Sequence, residues 1–157
     1  MQEHAHAKHA PYRNLGIELA VDFLIMFFVM YTMIATVDHL LLNVNNVYMT
    51  LMMVTPMAVV MLIGMRQMFP SQTLNLAVAG IATVVFIASF AAMRTQAAVG
   101  DEQFLRSMIP HHSGAILMCE EASFSAPEIV DLCARIVKSQ REEIAEMEAI
   151  LAQVSGG

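Results

Sequence analysis

Tryptophan is absent from the 157 residues, cysteine occurs twice, and charged side chains make up 14% of the chain. Basic residues number 8 against 14 acidic ones, and an acidic excess argues against nucleic acid, whose binding is driven by neutralising phosphates. Two cysteines are too few for a disulfide-built scaffold or a four-thiolate zinc site. Cys119 and Cys133 fall on two different predicted helices, so they read either as a bonded pair or as two small buried apolar residues. The scarce charges are also unevenly placed. Residues 1–100 carry four basic groups (Lys8, Arg13, Arg66, Arg94) and four acidic ones (Glu3, Glu18, Asp22, Asp38), so the net −6 lies wholly in residues 101–157.

What is abundant is uninterrupted hydrophobicity. Apolar segments at residues 15–42, 47–69 and 74–93 each suffice for the roughly 20 residues a helix needs to cross about 30 Å of hydrocarbon. Three transmembrane helices are expected, with the lipid bilayer as their solvent. The first is too long, and lacks the small-residue cleavage pattern, to be a signal peptide. Lys8, Arg13 and Arg66 place the N-terminus and the second turn in the cytoplasm by the positive-inside rule, and three crossings then put the tail outside. The expected division is a polar N-terminus at 1–14, a transmembrane region at 15–94, a linker at 95–100 and a helical hairpin at 101–157.

Methionine is the other excess, with 15 copies. Met49, Met53, Met57, Met61 and Met65 recur every fourth residue on the second helix, and Met26, Met30 and Met33 form a shorter stripe on the first. Such a ladder reads as adaptable packing, or as a thioether path for cuprous ions across the bilayer. Pro56 interrupts it and frees the carbonyl of Met52. The third helix is rich in small residues that allow close approach of helices. His4, His6 and His9 form a loose polar cluster, and Asp38-His39, expected one turn from the end of the first helix, are candidates for groups supporting a site in the tail. Asp22 is expected one turn from that helix's start.

The tail holds the densest chemistry. Gly100 breaks the chain, Asp101-Glu102 opens a helix at its positive end, and Phe104, Met108, Ile109, Ile116 and Cys119 define its apolar face through about Phe124. Ser125 and Pro127 then suit the start of a second helix, with Ile129, Cys133, Ile136, Val137, Ile144, Met147 and Leu151 on its apolar face. Met108, His111 and His112 share a side of the first helix, and Met118 follows His111 by two turns. Gln140, Glu143 and Met147 share a side of the second. Antiparallel packing brings Met147 toward Met108, His111 and His112. Pro110 frees the carbonyl of Arg106 within this stretch. Histidines here could simply bond carboxylates of the neighbouring helix; together with the thioethers they suit a soft metal, Cu(I) above all and Ag(I) next. No Glu-x-x-His occurs in residues 101–157, which disfavours a di-iron site there, and no phosphate loop, nucleophile–base pair or paired catalytic carboxylates are found, so no enzymatic activity is expected.

The string Asp101-x-x-Phe104-x-x-x-Met108-Ile109-Pro110-His111-His112-x-x-Ala115-Ile116-x-Met118, followed by Gln140-x-x-Glu143-Ile144-x-x-Met147, resembles the domain of unknown function 305 (DUF305) family over residues 101–154. That family includes CopM-type copper-binding proteins. The resemblance implies a ferritin-like, all-α fold, an extracytoplasmic location of inner-membrane type, and copper or silver binding in metal resistance. It points to Met108, His111, His112, Met118 and Met147 as ligands. Many members carry two hairpins and this chain carries one, so a homodimer or higher homo-oligomer building a four-helix bundle is expected. The expectation is a membrane-anchored copper buffer or donor, with a copper-handling protein as possible recipient and no nucleic acid. Two alternatives stay open: a transporter using the methionine ladder, and an assembly subunit of a membrane complex that binds no metal.

Overall fold

The structure is a computed structural model describing residues 2–156, with side chains from residue 10 onward. His4, His6 and His9 lie outside the described side chains. Five α-helices follow in order: α1 (Gln2–Val29), α2 (Val44–Gly64), α3 (Gln72–Thr95), α4 (Asp101–Glu121) and α5 (Pro127–Val154), and no strand occurs among the described residues. Two short 3-10 turns, Met30–Met33 and Val37–His39, lie between α1 and α2. Three stretches are long and apolar enough to cross a membrane: Ala10–Met33, Val44–Gly64 and Gln72–Thr95.

The chain folds as two compact units. One comprises residues 1–28 and 47–97, the other residues 29–46 and 98–157. In the first, Leu15, Leu62 and Phe69 form a buried cluster with Tyr12, Leu19 and Met61 against it. The Tyr12 hydroxyl donates to Asn75 Oδ1 at 2.8 Å and lies 3.1 Å from both the carbonyl and the amide of Ser71, tying α1 to the α2–α3 turn. Helix α2 buries Thr50, Val54, Ala58 and Leu62, a stripe of fourfold spacing. The methionine ladder is the adjacent stripe, about 100° around the helix. Met49 and Met53 are accordingly about 40% exposed, and Met65 lies beyond the helix end.

The first apolar segment is not one helix to residue 42. After Met33 the backbone becomes extended at Ile34, and Ala35 and Leu41 pack on the tail helices instead of facing lipid. Hydropathy cannot distinguish these destinations, because both are apolar. Asp38 and His39 therefore belong to a connecting loop, and Asp22 sits midway along the span Ala10–Met33 rather than near its start. The break before α4 also differs from expectation. Gln96 and Ala98 take the left-handed conformation, at φ 52° and 57°, while Gly100 caps α4 with ordinary extended backbone.

The second unit is the α4–α5 hairpin with the α1–α2 loop laid along it. Ile109, Ile116 and Ile144 form its core, joined by Val137, Met147 and Leu151. Helix α4 ends at Glu121, short of Phe124, and Ala126 precedes α5 without a side-chain cap, so Ser125 does not serve as one. Leu105 is buried where Phe104 was expected, and Phe104 is half exposed. Cys119 and Cys133 are joined by a disulfide with a Cα–Cα distance of 5.3 Å.

Candidate metal-binding hairpin

The segment Val29–Asn46, which is the α1–α2 loop with the helix ends that flank it, is stitched to helix α4 by polar side chains. Pro110 leaves the Arg106 carbonyl without its helical donor, and Asn43 Nδ2 reaches that carbonyl at 3.4 Å. Asn43 is itself buried, donates to the Leu41 carbonyl at 3.0 Å, and accepts the Asn46 amide at the start of α2. The amide of Val44 donates to Gln103 Oε1 at 3.0 Å. Directly after the histidines, Ser113 is fully buried; its hydroxyl accepts the Ala35 amide at 2.7 Å and lies 2.7 Å from His39 Nδ1. Since the hydroxyl oxygen already accepts one bond, its proton is available to His39. Gly114 follows for a steric reason: a Cβ there would lie 3.2 Å from the Met33 carbonyl.

His112 is held at both ring nitrogens. Nδ1 lies 2.9 Å from the Met108 carbonyl, which can only accept, so Nδ1 carries a proton. Nε2 faces Glu143 Oε2 at 2.7 Å. Glu143 also accepts from the Ser139 hydroxyl at 2.7 Å, and these two donors, Ser139 first, hold its carboxyl below the usual carboxylate range. A second histidine–carboxylate approach, His39 Nε2 to Glu148 Oε1 at 3.8 Å, lies one to two turns farther along α5. The loop residue expected to support the tail thus does touch it.

The His112–Glu143 bond sets the register of the hairpin. Met108 precedes His112 by one turn and Met147 follows Glu143 by one turn, so antiparallel pairing puts both methionines at one level. Met147 is half-buried against the isoleucine core. His111 is exposed, its ring 6.0 Å from that of His112 and steeply inclined to it. Met118 stands apart: seven residues at 1.5 Å rise put it about 10 Å from His111 along the axis. It is 59% exposed and lines a cavity beside Cys119 and Met33. Among the described residues no cluster of three or more His, Cys, Asp and Glu side chains is gathered as for a metal ion. A site built here would draw on thioethers as well as imidazoles.

The DUF305 family model, described as a domain of unknown function, matches residues 57–151. The chain belongs to the DUF305 family. The match begins within α2, well before the residues 101–154 that carry the sequence resemblance, so the family pattern takes in α3 and part of α2 as well as the hairpin. An uncharacterized protein of Acanthamoeba polyphaga mimivirus is 36% identical over 118 residues, covering 74% of this chain and 76% of the viral one. No solved structure matches.

Sequence reasoning on this DUF305 chain overlooked Ser113, Gly114 and Asn43 as the residues that seat the loop on α4. Ser113-Gly114 directly after the two histidines was the available signal: two small residues mark a helix face that another backbone approaches.

Proposed function

We propose that this DUF305 protein is a membrane-anchored, extracytoplasmic binder of Cu(I), with Ag(I) as a chemical analogue, that buffers the ion or hands it to a copper-handling partner. The ion is cargo. The observation that carries the reading is the open end of the hairpin, where His112 and the Met108 and Met147 turns share one level. The Nδ1–H of His112 is anchored on a backbone carbonyl, the usual arrangement of a metal-binding imidazole whose Nε2 is left for the ion. Here Nε2 is held by the Glu143 carboxylate through a shared proton, which an incoming cation would displace as it takes the nitrogen. His111 and the two thioethers complete a donor set suited to a soft monovalent ion.

Two further observations support the topology. The α1–α2 loop and the tail helices bond to each other within one compact unit, so both lie on the same side of the bilayer, as three crossings require. The Cys119–Cys133 disulfide fits an oxidising compartment for that side. Helix α5 buries Ile144 but leaves Ile129, Val130, Leu132 and Ile150 over 40% exposed, which suits a second hairpin completing a four-helix bundle.

Metal content tests this directly. The detergent-purified oxidised protein, loaded with Cu(I) and analysed by mass spectrometry, should hold stoichiometric copper that His111→Ala/His112→Ala loses. Copper kept by that variant would move attention to the methionine ladder. Absence of copper from both proteins would favour the non-metal assembly subunit, in which the His112–Glu143 bond is simply interhelical packing.

A further inference from the structure

The displacement of Met118 from the two histidines has a chemical counterpart. At the closed end of the hairpin a cavity of about 580 Å³ is lined by Met33, Met118, Cys119 and Cys133, with apolar Leu117, Ala122 and Phe124 and one carboxylate, Glu121, completing it. Four soft donors of the second unit, away from the open end, meet in this one space. Cys119 comes from α4 and Cys133 from α5; Met118 adjoins Cys119, and Met33 is delivered by the 3-10 turn that the close approach of its own carbonyl to Gly114 seats on α4. Met33 and Met118 are about half exposed, so their thioethers are reachable from solvent or from the cavity.

As a disulfide the two cysteines are poor ligands. As thiolates on adjoining helices, with Cα atoms 5.3 Å apart, they are near enough to grip one ion. We propose that reduction of Cys119–Cys133 opens a second Cu(I)/Ag(I) site at the closed end of the hairpin, formed by Cys119, Cys133, Met118 and Met33. The reductant is a dithiol. Its thiolate attacks one cysteine sulfur, the Sγ–Sγ bond breaks, and two electrons pass to the cysteines as the reductant closes to its own disulfide. Both cysteines then carry protons, which Cu(I) displaces to solvent on binding. Two thiolates and two thioethers form an all-sulfur donor set, the softest available in the chain. The oxidised hairpin holds copper at its imidazole end alone; the reduced hairpin has a second, tighter place for it. The site is independent of the imidazole end, and the test removes that end first.

The experiment uses the full chain in detergent with His111→Ala/His112→Ala, reduced by a phosphine that is then removed anaerobically. Titration with thiol reagent should count two thiols per chain, and circular dichroism should show the helices retained. Competition for Cu(I) with a bicinchoninate chelator should then give one ion per chain bound at least tenfold tighter than to the oxidised form, with a sulfur-only shell in X-ray absorption. Met33→Leu/Met118→Leu keeps volume and thiols but removes two of the four sulfur donors, and should weaken binding about 10–100-fold, no less than the loss of an outer-shell partner costs at metal sites. Equal affinity of reduced and oxidised protein, affinity within twofold after the methionine replacement, nitrogen or oxygen in the metal shell, or loss of helix on reduction would each overturn the proposal.

Discussion

Ser113→Ala is the sharpest probe of how the α1–α2 loop is held. The Ser113 side chain is wholly buried, and its oxygen serves two partners at 2.7 Å, the Ala35 amide and His39 Nδ1. Alanine removes the shared oxygen and leaves both groups facing a methyl. A buried polar group stripped of its partner costs about 1–3 kcal/mol. His39 keeps some access to water, with 14% of its side chain exposed, so the Ala35 amide carries most of the penalty. At 1.4 kcal/mol per factor of ten, local opening of the loop should become roughly 5–150-fold more frequent. Hydrogen–deuterium exchange by mass spectrometry on the detergent-solubilised protein reads this directly. Exchange at Ala35 should accelerate by that factor while amides in α3 stay unchanged. Ser139→Ala, which alters an exposed hydroxyl, serves as the control. Exchange at Ala35 within twofold of wild type would refute the reasoning, because the loop would then owe its place to apolar packing alone.

Gly114→Ala should destabilise the hairpin by about 1 kcal/mol despite the higher helix propensity of alanine, because its Cβ would crowd the Met33 carbonyl; Gly80→Ala, with open space around it, should be neutral or stabilising, and thermal melts compare the two. The Glu143 carboxyl is held below its ordinary value of 4.5, so its contribution is complete above that pH and is lost as pH falls through the lower folded value. Glu143→Gln should therefore flatten the fall in hairpin stability on acidification below about pH 4.5, as read by circular dichroism. The disulfide closes a loop of sequence separation 14, worth about 3 kcal/mol in the chain-entropy account, so reduction should lower the melting midpoint while leaving the helices formed at room temperature. Met53→Leu/Met57→Leu/Met61→Leu should leave tail-site copper and protein stability nearly unchanged if the ladder is packing; lost copper flux across proteoliposomes would instead support the transporter reading.

Much of the architecture was legible in the amino-acid order because its causes are local. Unbroken apolar runs of helical length mark α2 and α3 within a few residues of their ends, since crossing hydrocarbon demands length and composition, not particular neighbours. The spacing of Ile109, Ile116 and Ile144 similarly identified the hairpin core from periodicity alone. The freed carbonyl behind Pro110 follows from covalent chemistry; the donor that meets it, Asn43, lies 63 residues away and carries no local mark.

Three features were decided only in three dimensions. The first apolar segment stops being a helix at Val29 because Ala35 and Leu41 find the tail helices, a destination as apolar as lipid. His112 meets Glu143 and fixes the hairpin register, whereas spacing alone allowed the histidines and Met118 to be read as one group. Helical periodicity specifies which face a residue is on but not its depth along the axis, and about 10 Å of axial separation sends Met118 to the disulfide end. Sequence thus determined that this protein is helical, apolar in three spans and furnished with soft donors. Tertiary structure decided which donors share a place, because proximity between distant segments depends on the register of packed helices.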